Sequence, residues 1–252
     1  MSEGTLSGLY RHPLKGVGSE PMGEVDLNKG KGIAFDRRWA VAHGDAESVE
    51  GWAAPKNFVT QSYSPRLAQT KVKFSQRNHM LELSHPDRPD LAIQIGTPDG
   101  DDALSEWIEP LVAGTLRAAP PYLVYEMREG GFTDFEDTHI AIGSDASLRA
   151  LGEKAGTTLQ HERFRMNLWI EGFAPYAELD WVDREVEIGE ARLKIIGRDK
   201  RCSATTANPK TGHTDVQVPK LLHAEFGHMD FGVYAQVVKT GPVRVGDPVR
   251  VL

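Results

Sequence analysis

Glycine and proline punctuate this chain so often, 25 and 15 times in 252 residues, that few uninterrupted segments are left for long helices. Most of the short runs between them alternate apolar and polar side chains. Such alternation over four to eight residues suits a half-buried strand, whereas a helix needs apolar residues three and four apart over a longer stretch. Strands are accordingly predicted over residues 5–10, 22–27, 33–42, 67–74, 80–83, 91–95, 122–127, 139–142, 163–172 and 231–238. A hairpin is predicted over 180–197, and a last strand closes the chain. Three segments read as helices. Residues 101–112 carry Leu104, Ile108, Leu111 and Val112 on one face, although Pro110 weakens the last turn. A second helix is capped by Ser144, carries Leu148, Leu151 and Ala155, and stops at Gly156. A short third one spans 218–226. Many short strands with few helices predict an α+β, β-rich, barrel-like protein.

Charge and cysteine usage exclude several functions. The formal net charge is -7 and the pI is near 5.7, so a general nucleic-acid partner is not expected, since phosphate binding needs a basic face. One cysteine rules out an intrachain disulfide, a Cys-rich zinc site and a Cys-x-x-Cys pair. The start, M-S-E-G-T-L-S-G-L-Y, lacks the apolar middle of a signal peptide, and no run approaches a membrane span. A cytoplasmic protein with no membrane partner is the expectation.

The one thiol, Cys202, follows Lys200 and Arg201 and precedes S-A-T-T-A-N-P-K-T-G. Neighbouring cations favour the thiolate, which can bind a soft metal, carry sulfur as a persulfide or attack an electrophile. The bland alternative is a buried small hydrophobe. Two arginine patterns accompany it. A strand over 33–42 puts Phe35, Arg37 and Trp39 on one face and Asp36 and Arg38 on the other, which reads either as a surface ion pair or as an anion-binding arginine. A strand over 163–172 projects Arg163, Arg165 and Asn167 together, suited to a phosphate or polar ring system or else to plain solvent. Arg165, Asn167, Arg201, Thr205 and Thr206 could furnish a cationic pocket for a metal borne on an anionic organic cofactor. His213, His223 and His228 match no zinc spacing, and Glu136 and Asp137 read as part of a solvated loop over 128–137.

Together, Y-R-H-P-L-K-G, G-I-A-F-D-R-R-W-A-V, S-D-A-S-L, R-F-R-M-N-L-W-I-E-G, R-C-S-A-T-T-A-N-P-K-T-G and the closing F-G-V-Y-A-Q-V-V with V-G-D-P-V-R-V-L resemble, in order and spacing, the MOSC family (molybdenum cofactor sulfurase C-terminal domain) with its N-terminal β-barrel partner. The resemblance implies a β-barrel-like N-terminal domain over 1–125 and a MOSC domain over 126–252. It implies a pyranopterin molybdenum cofactor (Mo-molybdopterin) with Cys202 as metal ligand and reacting centre. Lys15 and Arg37 from the first domain, with Thr138, Arg165, Asn167 and Arg201 from the second, would line the pterin and phosphate, and Thr205 and Thr206 fall on the family's Thr-Thr pair. The implied activity is two-electron reduction of an N-hydroxylated or N-oxygenated small-molecule substrate by oxygen-atom transfer. No cysteine-rich extension follows Leu252, so electrons are expected from a separate donor protein or reductase. The alternative is a non-catalytic carrier of the cofactor, or of sulfur as a Cys202 persulfide. Two residues depart from the family pattern: Gly16 stands for a serine, and Met166 for the proline between Arg165 and Asn167.

Overall fold

The first strand alternates exposed and buried side chains, and the barrel closes on it. In the computed structural model, which describes residues 3–47, 49–127 and 130–252, this is β1 (Glu3–Arg11), with Leu6 and Leu9 in the core. The chain continues through β2 (Glu20–Pro21), β3 (Glu24–Leu27) and β4 (Trp39–Ala42). Next come β5 (Lys71–Ser75), β6 (Met80–His85) and β7 (Arg88–Gln94), a three-stranded antiparallel meander. Then follow α1 (Pro98–Val112), β8 (Leu123–Glu126), β9 (Ile140–Ser144), α2 (Asp145–Ala155), α3 (His161–Phe164) and β10 (Leu168–Glu171). The remainder is β11 (Glu185–Ile188), β12 (Ala191–Lys200), α4 (Val218–Phe226), β13 (Asp230–Lys239), β14 (Gly241–Arg244) and β15 (Pro248–Val251). The start of the loop predicted over 128–137 lies outside the described residues.

Seven strands form a closed ring in the order β10-β9-β13-β12-β11-β15-β1, with β1 pairing back to β10. Closure leaves no unpaired edge within the ring. Every pairing is antiparallel except β9 with β10, and a parallel pair needs a crossover, supplied here by α2 and α3. Leu6, Ile142, Ile170, Leu193, Ile195, Val233 and Val249 are among the side chains that fill the interior. The first residues of the chain therefore complete a barrel made otherwise of strands after residue 139. A second core lies around the meander, where Trp39, Leu67, Phe74, Leu104 and Ile108 pack together.

Local signals account for the helices. Thr97 caps α1 by accepting from Gly100 N at 3.2 Å, and Asp99 and Asp101 sit in its positive first turn. Contrary to the expected weakening, α1 runs through Pro110 to Val112. Arg88 Nη2 lies 3.5 Å from the Glu106 carbonyl that Pro110 leaves without its helical donor. Ser144 caps α2, and Gly156 ends it with a left-handed φ of 66°.

Two predicted strands are corrected. Over 33–42 only Trp39–Ala42 is a strand, paired with β8. Phe35 and Arg37 have φ of 63° and 50°, which breaks the period of two. The turn is held because Asp36 Oδ1 accepts from His12 N at 2.7 Å and Arg37 N donates to His12 O at 2.7 Å. Over 163–172, the strand begins only at Leu168: residues 161–164 form α3, and Arg165 ends it at φ 53°. Arg163, Arg165 and Asn167 therefore do not share one strand face.

Candidate functional site

Both left-handed turns deliver an arginine to the same place. Arg37, after the turn at Asp36, and Arg165, after α3, meet where the barrel abuts the N-terminal half: Arg37 Nη2 donates to the Arg165 carbonyl at 2.9 Å. Left-handed backbone is costly for a residue with a Cβ and persists where the surroundings over-determine it. Here they do, since Asn167 Oδ1 takes Ala141 N at 3.2 Å and lies 3.5 Å from Arg37 Nη1, while Asn167 N donates to Ala141 O at 2.9 Å. Asn167 thus fastens the two turns to β9 rather than facing open space.

These residues border a cavity of about 370 Å³, walled by Lys15, Arg37, Arg165, Arg201, Asp134, Asp199 and Tyr234, with Cys202 and Ser62 also on its wall. Cys202 is exposed, and Ser62 Oγ is 3.8 Å from its Sγ. The thiol stands at the head of a 3-10 turn, Ser203–Thr206. Thr205 Oγ1 donates to Cys202 O at 2.8 Å and Thr206 Oγ1 to Ser203 O at 2.7 Å, so the threonine pair holds the thiol's backbone. Exposure sets aside the reading of Cys202 as a buried hydrophobe.

The cations differ in how they are compensated. Lys15 Nζ is 2.6 Å from Asp134 Oδ1. Burial pulls the lysine down; against its own desolvation, Asp134 is held well below the usual carboxylate range by Lys15, Arg37 and Arg201. Arg37 pairs with Asp36, and Arg201 with Asp199; in both, burial works against the charge and the carboxylate more than offsets it, leaving the arginine above its usual value. Asp199 is itself pushed up, chiefly by burial. Arg165 is the exception. Its guanidinium donates only to the carbonyls of Gly18 and, at 3.0 Å, Leu14, and it has no carboxylate partner among the described residues. Burial, then the Arg37 charge, pull it down to about 9. A buried cation without a counter-charge is unfavourable until an anion joins it. Arg201 Nε is likewise buried without a partner.

Gly16 has φ 72°, and a Cβ there would stand 2.5 Å from Thr60 Cβ, so the backbone beside Lys15 excludes the serine of the family pattern. Met166 is buried with its sulfur 3.9 Å from Arg201 Nη1, and its carbonyl 3.2 Å from His12 Nε2.

Of the residues singled out from sequence, Lys15, Arg37, Arg165, Arg201 and Cys202 come together, with Asn167 behind them. Thr205 and Thr206 support the thiol turn. Thr138 lies elsewhere, lining a separate cavity of about 430 Å³ with His139 and the 30–36 loop. Arg163 is at the cavity's edge, but its charge is spent on Asp215, at 2.6 and 2.7 Å, and its Nε on Gln160 at 2.6 Å. Sequence reasoning missed Asp134, Asp199, Tyr234 and Ser62. Tyr234 OH donates to Asp134 Oδ2 at 3.1 Å. Asp134 sits in a stretch rich in acids, and Ser62 in a polar loop, so neither carries a spacing that marks it.

Two family models match in tandem: the MOSC N-terminal beta barrel domain over residues 3–111 and the MOSC domain over residues 129–250. The mouse protein named mitochondrial amidoxime-reducing component 1 is 36% identical, over 99% of this chain and 82% of its own. The chain belongs to the MOSC domain family. Another relative is the zebrafish protein named molybdenum cofactor sulfurase, 23% identical over 91% of this chain and 31% of its own. Among solved structures, the YuaD protein of Bacillus subtilis aligns over 99% of this chain and 95% of its own, at 15% identity and a TM-score of 0.47. In MOSC terms, the barrel strands β12 and β13 carry Asp199 and Tyr234, the loop after β12 carries Arg201 and Cys202, and the N-terminal half supplies Lys15 and Arg37. Among the described residues, no helix is long and apolar enough to cross a membrane.

Proposed function

We propose that this MOSC protein is an oxidoreductase that binds a pyranopterin molybdenum cofactor and reduces N-oxygenated small molecules. The observation that carries the reading is Arg165: a buried guanidinium without a carboxylate, on the wall of a cavity that also exposes the chain's one thiol. The donor set fits such a group. A thiolate is a soft ligand suited to molybdenum, and Arg165, with the orphaned Arg201 Nε, provides cationic and donor capacity for an anionic pterin phosphate. When bound, the cofactor supplies the two-electron oxygen-transfer chemistry.

The chain's own residues hold and orient. Arg165, Arg37, Lys15 and Arg201 offer charge to the cavity, and Asp36, Asp134 and Asp199 pair with the last three. Asn167 keeps Arg37 and β9 in register. Thr205 and Thr206 fix the direction of Cys202 by clamping its turn. Electrons would arrive from a separate donor protein, and a cytoplasmic location belongs to the same proposal. Relatives named for amidoxime reduction support the substrate class.

The test is reduction of benzamidoxime by protein from a molybdenum-sufficient host, with a chemical electron donor, beside Cys202→Ala. Turnover lost in the variant is expected. Cyanide-releasable sulfur on Cys202 without any turnover overturns the proposal in favour of a sulfur carrier.

A further inference from the structure

Cys202 stands on a ridge between two cavities. One is the cation-walled cavity already described. The other is a largely apolar groove of about 450 Å³ that shares the 200–203 segment with it and is also lined by Pro219 and Met229, with the exposed Lys200 and Lys220 on its wall. Its volume lies in the range of small-molecule sites. Arg201 N donates to Met229 O at 2.9 Å, so the groove is built directly against the backbone that carries the thiol.

The rim has a definite charge. Both lysines are exposed, and neither forms an ion pair among the described residues. Of the carboxylates on adjoining segments, Glu225 pairs with Lys154 at 2.7 Å and Asp215 with Arg163 at 2.6 Å, while Asp230, opposite Lys200 in the β12–β13 ladder, forms no ion pair with that lysine. In a chain with seven more acids than bases, a two-lysine rim around an apolar floor is a local reversal of sign. Apolar walls favour an aromatic or alkyl body, and the lysines favour a carboxylate.

We infer that this groove is the substrate pocket and that it takes apolar carboxylates, with the N-oxygenated end of the molecule at Cys202 and the carboxylate at Lys200 and Lys220. The inference rests on the proposed function for the reacting end and goes beyond it in naming the body of the substrate. It makes Met229 and Lys220 determinants of specificity, separate from the residues that would hold the cofactor, while Lys200 borders both cavities.

Because Cys202 is the only cysteine, its alkylation reports on the groove whether or not molybdenum is present. Full-length protein from a host unable to make the cofactor is treated with iodoacetamide, iodoacetanilide or 4-(iodoacetamido)benzoate. In each case sulfur bonds to the methylene carbon and iodide leaves with the carbon–iodine electron pair. The benzoate reagent is expected to react about fivefold faster than the anilide, as two exposed charge contacts allow, with the advantage shrinking in high salt. In Lys220→Glu, whose lysine borders the groove alone, the ratio should fall to about one, while the iodoacetamide rate changes by less than about twofold. Met229→Trp, which fills the groove, should slow both aryl reagents and spare iodoacetamide. An equal rate for the two aryl reagents in the unaltered protein overturns the inference. So does a preference that survives Lys220→Glu, because the anion would then be drawn by the Arg165 cavity.

In cofactor-loaded protein, Lys220→Glu should raise KM for 4-carboxybenzamidoxime about threefold or more, leaving kcat and the KM for benzamidoxime unchanged. Equal KM changes for both substrates refute the placement. The two readings fail separately: protein that contains molybdenum yet shows no carboxylate preference sinks the groove, and protein that shows the preference yet binds no molybdenum sinks the proposed function.

Discussion

Replacing Asp215 tests whether Arg163 belongs to the architecture rather than to the ligand. The Arg163 side chain is fully buried, and its guanidinium gives two bonds to Asp215, one to Gln160 and one of 3.4 Å to Thr206 O. That arrangement ties α3 to the turn that presents Cys202. The Arg163 hydrogen bond, the largest influence on Asp215, helps lower its pKa from 3.8 to about 2. A fall of just under two pH units corresponds to about 2.5 kcal/mol, reduced to about 1–2 kcal/mol because a third of the Asp215 side chain meets solvent. Asp215→Asn keeps the shape and one acceptor, so at pH 7 it should lose about 1–2 kcal/mol. Asp215→Ala leaves a buried guanidinium without its counter-charge and should lose about 3–5 kcal/mol. Since the folded pKa is depressed, this stability is complete above about pH 4 and disappears as pH falls through about 2. The penalty of the Asn variant should shrink over the same interval. Urea unfolding of wild type and both variants at pH 7, 5 and 3 gives the values. A loss below about 0.5 kcal/mol for Asp215→Ala at pH 7 would refute the structural role and return Arg163 to the ligand-binding set.

Three further outcomes are expected. Glu178 is fully buried, has one acceptor oxygen without a partner, and burial pushes its pKa up to about 7. The folded state therefore binds a proton that the unfolded state releases, and stability should fall as pH rises from about 4.5 to 7. Glu178→Gln should flatten that dependence and gain about 1–3 kcal/mol at pH 8, read from urea midpoints; a parallel profile in the variant would contradict the assignment. Gly16→Ala forces a Cβ onto Thr60 at left-handed φ and should cost about 1–3 kcal/mol, seen as a fall in Tm, whereas an unchanged Tm would show that the loop gives way easily. Ser144→Ala removes the cap of α2 and should cost about 1 kcal/mol in the same assay, with a cost near zero arguing that backbone packing alone sets the helix start.

The helices and most barrel strands were legible because their determinants are local. Residues 218–226 form α4 as predicted, and α2 starts and stops at the Ser144 and Gly156 signals. The two segments that carry the arginines were misread for the opposite reason. Over 33–42 a polar stretch interrupts an otherwise apolar series and over 163–168 the residue types alternate, yet long-range bonds override both patterns: Asp36 is claimed by the His12 amide, and Asn167 by Ala141. No sequence rule places a left-handed turn at Arg37 or Arg165, because neither is glycine, asparagine or aspartate. The family resemblance singles out these arginines, and the fold brings both to the cavity that Cys202 lines, although neither stands on the strand expected for it. Asp134, Tyr234 and Ser62 reach the cavity from three segments far apart in the chain, and only the fold brings them together.

The most direct test of the central claim is the molybdenum and pterin content of protein purified from a cofactor-sufficient host, compared with Arg165→Met. Arg165 is the buried cation left without a carboxylate, so removing it should leave the fold intact and lower both contents by about tenfold or more, the loss of one charge-assisted contact. Wild-type protein carrying molybdenum and pterin together, and a folded Arg165→Met protein nearly devoid of both, is the result expected. Wild-type protein with neither, or an Arg165→Met protein that retains both in full, would contradict it.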